Sequence, residues 1–186
     1  MKGIVFQYIK GCFQMVPTSV LVGLLIFSVL GTTVLFWRLG VKEGAKWSAR
    51  LLLVEYLFLL ISLTLLFRAV LPERRYILTP FRFWGAIQQR QYYSLTEVIM
   101  NVAAFIPVGL LLGGGFGRMK WWKVLLFGGA FSVLVEVLQY ISRRGFAEVD
   151  DVVYNVVGCM IGYGIAYSVK KISKDRKEKA VTFNPN

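Results

Sequence analysis

The sequence predicts an all-α, polytopic membrane helix bundle of about five transmembrane helices, with an interfacial aromatic and basic segment between the second and third. Three observations carry that prediction. Apolar runs of spanning length recur along the chain, and a run of about 20 apolar residues crosses the roughly 30 Å hydrocarbon layer as a helix. The chain is 56% hydrophobic with a mean hydropathy of +0.60, above the roughly 45–50% usual for soluble domains. Its Lys and Arg residues gather at the ends of the apolar runs, where a bilayer tolerates them.

Each element follows from local chemistry. Residues 1–16 mix aromatic and aliphatic positions with Gln7, Lys10, Gly11 and Gln14, as an interfacial lead-in would. No small-residue cleavage pattern separates the first run from the body, so it is expected to stay in the mature protein. The first span is Pro17–Trp37, anchored by Trp37 and Arg38, and a short basic loop, Arg38–Lys46, follows. The second span is about Trp47–Leu71, with Arg50 and Arg68 near its ends and Glu55 deeper, expected as a partner for Arg50 or another interfacial group.

Pro72–Thr96 has no spanning run, yet it carries Tyr76, Phe81, Phe83, Trp84, Tyr92 and Tyr93 among Arg74, Arg75, Arg82 and Arg90. That mixture suits the headgroup layer, as a surface anchor or as a lid. Ser94 and Glu97 fit a capping box opening a third span, about Leu95–Phe116, in which Pro107 removes a helix hydrogen bond and should kink it. The fourth span is about Trp121–Ser142 and the fifth about Val149–Val169. Lys170–Lys179 reads as a charged tail and Thr182–Asn186 as disordered. The organisation is therefore an N-terminal part (1–71), a core (72–169) and a basic tail (170–186).

The net charge of +12 does not point to nucleic acid, because no basic stripe interleaved with aromatics lies on a polar scaffold. It reads as membrane orientation and contact with anionic lipid. The two cysteines, Cys12 and Cys159, and the absence of histidine exclude a disulfide framework and leave no zinc-type ligand set. No metal or cofactor is expected; any metal would have to be a hard, oxygen-ligated cation, held by Glu136 and Asp151.

One stretch concentrates the chemistry: EVLQYISRRGFAEVDDVVYNVVGCMIG, from Glu136 to Gly162. Glu136, Gln139 and Arg143 share a helix face by their three- and four-residue spacing, and so do Asp151, Asn155, Gly158 and Gly162. Carboxylates and amides are costly in lipid, so these faces should point inward. Counting along the expected helices, Asn101 and Glu136 lie a similar roughly 10 Å inward from the same end. Asn155 lies about one turn inside the fifth span and Asp151 at its mouth. Burial makes Glu136 a candidate proton donor or acceptor. A plainer reading also fits: buried amides and carboxylates tie helices together, Gly158 and Gly162 permit close packing, and Asp150 and Asp151 cap the fifth helix.

These residues resemble the VanZ-like family, known from teicoplanin resistance. Thr79–Phe81 (TPF), the run NVAAFIPVGLLL from Asn101, EVLQ from Glu136 and DVVYNVVG from Asp151 match its pattern in order, over about Tyr76–Gly164. The resemblance implies Asn101, Pro107, Glu136, Gln139, Asp151, Asn155 and Gly158 as signature positions. Arg144 matches an arginine common before the acidic turn. Glu148 stands where the family often has Asp. It further implies lowered susceptibility to lipoglycopeptides at the outer membrane face.

Three functional classes follow. A binding or shielding protein would recognise a lipid-linked envelope precursor, another membrane lipid or the drug's acyl tail. An enzyme on such a lipid would use Glu136 and Asp151 as catalytic groups, Arg144 on an anionic headgroup, and Asn101, Gln139, Glu148 and Asn155 as the polar lining. A proton-coupled transporter would need an inner path, for which the chain supplies little polar lining. With five spans, one side carries eight basic residues (Lys2, Lys10, Arg74, Arg75, Arg82, Arg90, Arg143, Arg144). The other carries twelve (Arg38, Lys42, Lys46, Arg118, Lys120, Lys123, Lys170, Lys171, Lys174, Arg176, Lys177, Lys179). The C-terminus is thus expected in the cytoplasm and the polar site outside the cell membrane.

Overall fold

Among the described residues, four helices are long and apolar enough to cross a membrane. The structure, a computed structural model, describes residues 18–66, 68–82, 85, 92–117 and 119–183. The expected interfacial lead-in (1–16), Phe83, Trp84 and Arg90 lie outside the described residues. So do the side chains of Tyr92, Tyr93 and Ser94, and with them the capping box. The helices are α1 (Thr18–Ile61), α2 (Tyr92–Gly115), α3 (Trp121–Ser142) and α4 (Val149–Phe183). Two short strands, β1 (Arg75–Ile77) and β2 (Phe146–Glu148), pair in parallel.

The first of these helices takes in both of the first two expected spans, because the basic stretch Arg38–Lys46 is not a loop. It is helical apart from Gly40, whose φ of 69° and ψ of 176° break α1. A positive φ is open to glycine at little steric cost. The break reverses the chain: the Ser28 hydroxyl donates to the Glu55 carboxylate, and a Cβ on Gly31 would lie 2.6 Å from Leu51 Cδ2. A straight helix would hold residues 28 and 55 roughly 40 Å apart at 1.5 Å per residue. The two halves of α1 therefore lie side by side.

Glu55 is accordingly not the partner of Arg50. Five residues apart, the two project about 140° away from each other around the helix. Arg50 instead donates to the Gly115 carbonyl at 2.9 Å and stacks over Trp47 and Phe116. After Ile61 the helix loosens into a single π turn, Ser62–Leu66.

The helices α2 and α4 run parallel along a seam of small residues. A Cβ on Gly109 would meet the Cys159 carbonyl oxygen at 1.8 Å, one on Gly158 the Val102 carbonyl at 2.1 Å, and one on Gly162 the Ile106 carbonyl at 2.0 Å. Only glycine lets the backbones approach this closely, and membrane helices use such contacts where lipid offers no hydrophobic driving force between them. Around the seam, Leu53, Phe105, Val108, Leu112, Val124 and Cys159 form the buried core. Pro107 lies within α2, which continues through it, and the Tyr56 hydroxyl donates to the nearby Ala104 carbonyl at 2.9 Å.

At the basic end, Lys170 Nζ donates to the Gly113 carbonyl at 2.6 Å, a favourable position for a cation at a helix C-terminus. The charged tail is not a separate coil, since α4 continues unbroken to Phe183. Helix thus replaces the disorder expected at Thr182 and Phe183; residues 184–186 lie outside the described residues. At the opposite end, the start of α2, the end of α3 and the start of α4 meet.

Candidate functional site

The end where α2, α3 and α4 meet holds the polar residues, and each owes its place to helix spacing. On α3, Ser132, Glu136 and Gln139 repeat at four and three, so they line one face. They are buried, at 0%, 8% and 5% exposure. On α4, Asp151 and Asn155 lie one turn apart. Asn155 Nδ2 donates to Ser132 Oγ at 2.8 Å, which fixes the depth at which α3 and α4 register. One turn outward, Asp151 Oδ1 accepts from Asn101 Nδ2 at 2.6 Å and so joins α2 to the pair.

The turn between α3 and α4 is built to return the chain onto this cluster. Arg143 closes α3 in the left-handed conformation, φ 57°, and Gly145 follows at φ 125°. The chain then enters β2, and the Glu148 amide donates to Glu136 Oε2 at 2.9 Å. One carboxylate inside the bundle therefore pins the strand that covers it.

Residues 71–82 form a strap over this mouth. β1 pairs with β2 in the register Arg75 to Phe146, Tyr76 to Ala147 and Ile77 to Glu148. The Leu71 amide donates to the Arg143 carbonyl at 2.7 Å, and Tyr76 packs edge-on against Tyr140. Asp150 is the strongest tie. Its Oδ1 and Oδ2 accept from the Phe81 and Arg82 amides at 2.6 and 2.8 Å. It had been expected to cap its own helix; the strap supplies its donors instead. Arg82 also pairs with Glu148 at 3.3 Å.

The electrostatics are mixed. Burial raises the Glu148 carboxyl above its ordinary range, the Arg82 guanidinium opposes that rise, and Glu97 and Asp150 reinforce it. Arg68 contributes positive charge toward both Glu136 and Asp151. Its guanidinium lies against Gly145, where a Cβ would come within 2.5 Å of Nη1. No metal-holding group of three or more His, Cys, Asp or Glu residues occurs among the described residues.

The fold thus brings together Asn101, Glu136, Gln139, Glu148, Asp151 and Asn155 from the sequence-derived set. Arg144 is placed differently. Its Nη1 donates to the carbonyls of Leu65, Leu66 and Arg68 at 3.1, 2.6 and 3.2 Å, closing the end of the first helical hairpin rather than facing the carboxylates. Sequence reasoning missed Ser132 and Arg68. Ser132 stood four residues before Glu136, a spacing that marks a shared face. Arg68 was legible only as an interfacial cation, and nothing in its spacing pointed to Gly145.

Apolar helices long enough to span a bilayer, with buried carboxylates and amides collected at one end under a strap, define a membrane protein with a polar end site. The chain belongs to the VanZ/LLP1 family, whose model matches residues 53–170. That range includes every residue of the site and excludes the first half of α1. The chain is also similar to Protein VanZ of Enterococcus faecium, with 32% identity over 114 residues. The match covers 60% of this chain and 65% of that protein, just under two thirds of the relative's length. No solved structure matches the chain.

Proposed function

We propose that this chain is a multi-pass cell-envelope protein that lowers susceptibility to teicoplanin-type lipoglycopeptides. Its polar site binds or alters a lipid-linked envelope component, or limits the drug's access to one. The observation that carries this reading is convergence. Asn101, Glu136, Asp151 and Asn155 come from three helices, meet at one end of the bundle, and lie within the family match. Helix glue alone would not require a strap tied down over them by Asp150.

In this reading the two halves of α1 cross the bilayer separately, giving five crossings with Gly40 at the turn. The excess of basic residues at the Gly40 end and on the α4 extension supports a cytoplasmic C-terminus and an outward strap. A headgroup reaches the site from the outer leaflet and meets an acidic wall formed by Glu136 and Asp151. Their orientation is held by the Glu148 amide and by Asn101. Membrane lipids or lipid-linked precursors are the partners, with the drug itself as a competing one.

The test is teicoplanin susceptibility of a sensitive host expressing the wild type, Glu136→Gln or Asp151→Asn at matched membrane levels. Protection by the wild type and its loss in both variants is the expected result. Equal protection by all three reduces the cluster to a structural contact. A wild type that gives no protection removes the resistance role.

A further inference from the structure

The polar cluster under the strap holds buried acceptors that the described residues leave unmatched. Gln139 and Asn155 are each 5% exposed, yet Gln139 Oε1 and Asn155 Oδ1 have no hydrogen-bond partner among the described residues. A buried carbonyl without a donor costs about 1–3 kcal/mol, so these two, one on α3 and one on α4, call for something that donates. They flank the level of Glu136 and Asp151, because Ser132, the partner of Asn155, and Gln139 are seven residues apart, about 10 Å along α3. Glu136 and Asp151 thus lie between the levels of two unpartnered amide oxygens.

The rim has the opposite character. Arg68 makes no side-chain hydrogen bond or ion pair with another described residue, while its charge reaches Glu136 and Asp151. Its guanidinium fills the space left by the missing side chain of Gly145, beside the Gln139 amide, whose Oε1 lies 3.5 Å from where that Cβ would be. A cation at the mouth and an acidic interior make a bipolar site. Arg144, the cation first expected to hold an anion, is committed to three backbone carbonyls, which leaves that role to Arg68.

We propose that this cluster takes a zwitterionic phospholipid headgroup bearing a primary ammonium, with the ammonium at Glu136, Asp151 and Asn155 and the phosphate farther out on Arg68, beside Gln139. A primary ammonium supplies three N–H donors and a positive charge to those acceptors. A phosphate two carbons away returns toward the mouth and meets the guanidinium fork. The inference rests on the reading of this cluster as the working site, and it names the chemistry that enters it.

The number of donors can be varied without touching the protein. The purified full-length chain in detergent is titrated with dihexanoyl phosphatidylethanolamine, its N-methyl and N,N-dimethyl forms, and dihexanoyl phosphatidylcholine, with thermal stability and tryptophan fluorescence as readouts. Affinity should fall stepwise with methylation. The whole series should span about tenfold or more, the effect of losing one charge-assisted hydrogen bond. Arg68→Gln should weaken the primary-amine lipid about tenfold, and Arg68→Lys should recover part of that loss.

Binding of free phosphoethanolamine as tight as that of the lipid supports the chemistry and assigns a soluble source; weaker binding assigns the lipid. Equal affinity for the primary and quaternary amines overturns the proposal, and so does preference for dihexanoyl phosphatidylglycerol. A wild type that protects cells but shows no methylation dependence refutes the headgroup alone. Full protection by Glu136→Gln and Asp151→Asn refutes the underlying site.

Discussion

The Asp150 carboxylate should decide whether the strap is closed. In Asp150→Ala, the Phe81 and Arg82 amides lose their acceptors at 2.6 and 2.8 Å. A hydrogen bond to a charged group contributes about 1.5–3 kcal/mol. Both amides lie on an exposed segment where water can replace the carboxylate, so the pair together stabilises closure by about 2–3 kcal/mol, at or just below the low end for two such bonds. The same bonds hold Phe81 at φ 59°, a conformation costing an L-residue roughly 1–2 kcal/mol. Once released, Phe81 has less tendency to return. At about 1.4 kcal/mol per tenfold, amide exchange at Phe81 and Arg82 should accelerate roughly 30- to 150-fold. The β1 amides paired with β2 should follow more weakly. Asp150→Asn keeps one acceptor oxygen and should lie between. Hydrogen–deuterium exchange with mass analysis of peptides spanning 75–82 reads this directly. Equal uptake in wild type and Asp150→Ala, with α3 and α4 unchanged, would refute the latch.

Two further outcomes test the scaffold and the rim. Gly158→Ala places a Cβ 2.1 Å from the Val102 carbonyl oxygen and should cost about 3 kcal/mol, the upper end for overpacking. That corresponds to a fall of about 6–12 °C in detergent Tm for a chain of this size. Gly23→Ala, with nothing within 4 Å of its Cβ, is the control, and matching Tm values for the two would discount the seam. The Glu148 carboxyl is held above its ordinary range by burial, so the folded state binds more protons than the unfolded state between the two pKa values. This contribution to stability therefore falls as pH rises from the unfolded pKa through the folded one. Glu148→Gln should flatten that part of the Tm-against-pH curve; an unaltered slope would assign the dependence to another group.

Much of the bundle and most of the residues gathered at the site were legible beforehand. The limits of α3 follow from where apolar residues stop and basic ones begin, because lipid imposes that pattern residue by residue. Glu136, Gln139, Asp151 and Asn155 were recognisable because a polar residue inside an apolar helix is costly unless it faces a partner. The Arg38–Lys46 stretch was misread as a loop because charged residues are compatible with both a loop and a helix. The break came down to the φ of a single glycine.

The chain's own order of residues was enough to determine a membrane protein, its family pattern, the polar face of α3 and α4, and the end of the bundle where they meet. These depend on composition and on the 3.6-residue period, which are properties of neighbours along the chain. Tertiary structure decided the rest: that Asp150 holds the strap rather than its own helix, that Arg144 closes the first hairpin while Arg68 lies beside Gln139, and that Ser132 sets the depth of Asn155. Each pairs groups 23 to 79 residues apart. A hydrogen bond selects its partner by distance and direction in space, and no spacing along the sequence specifies those.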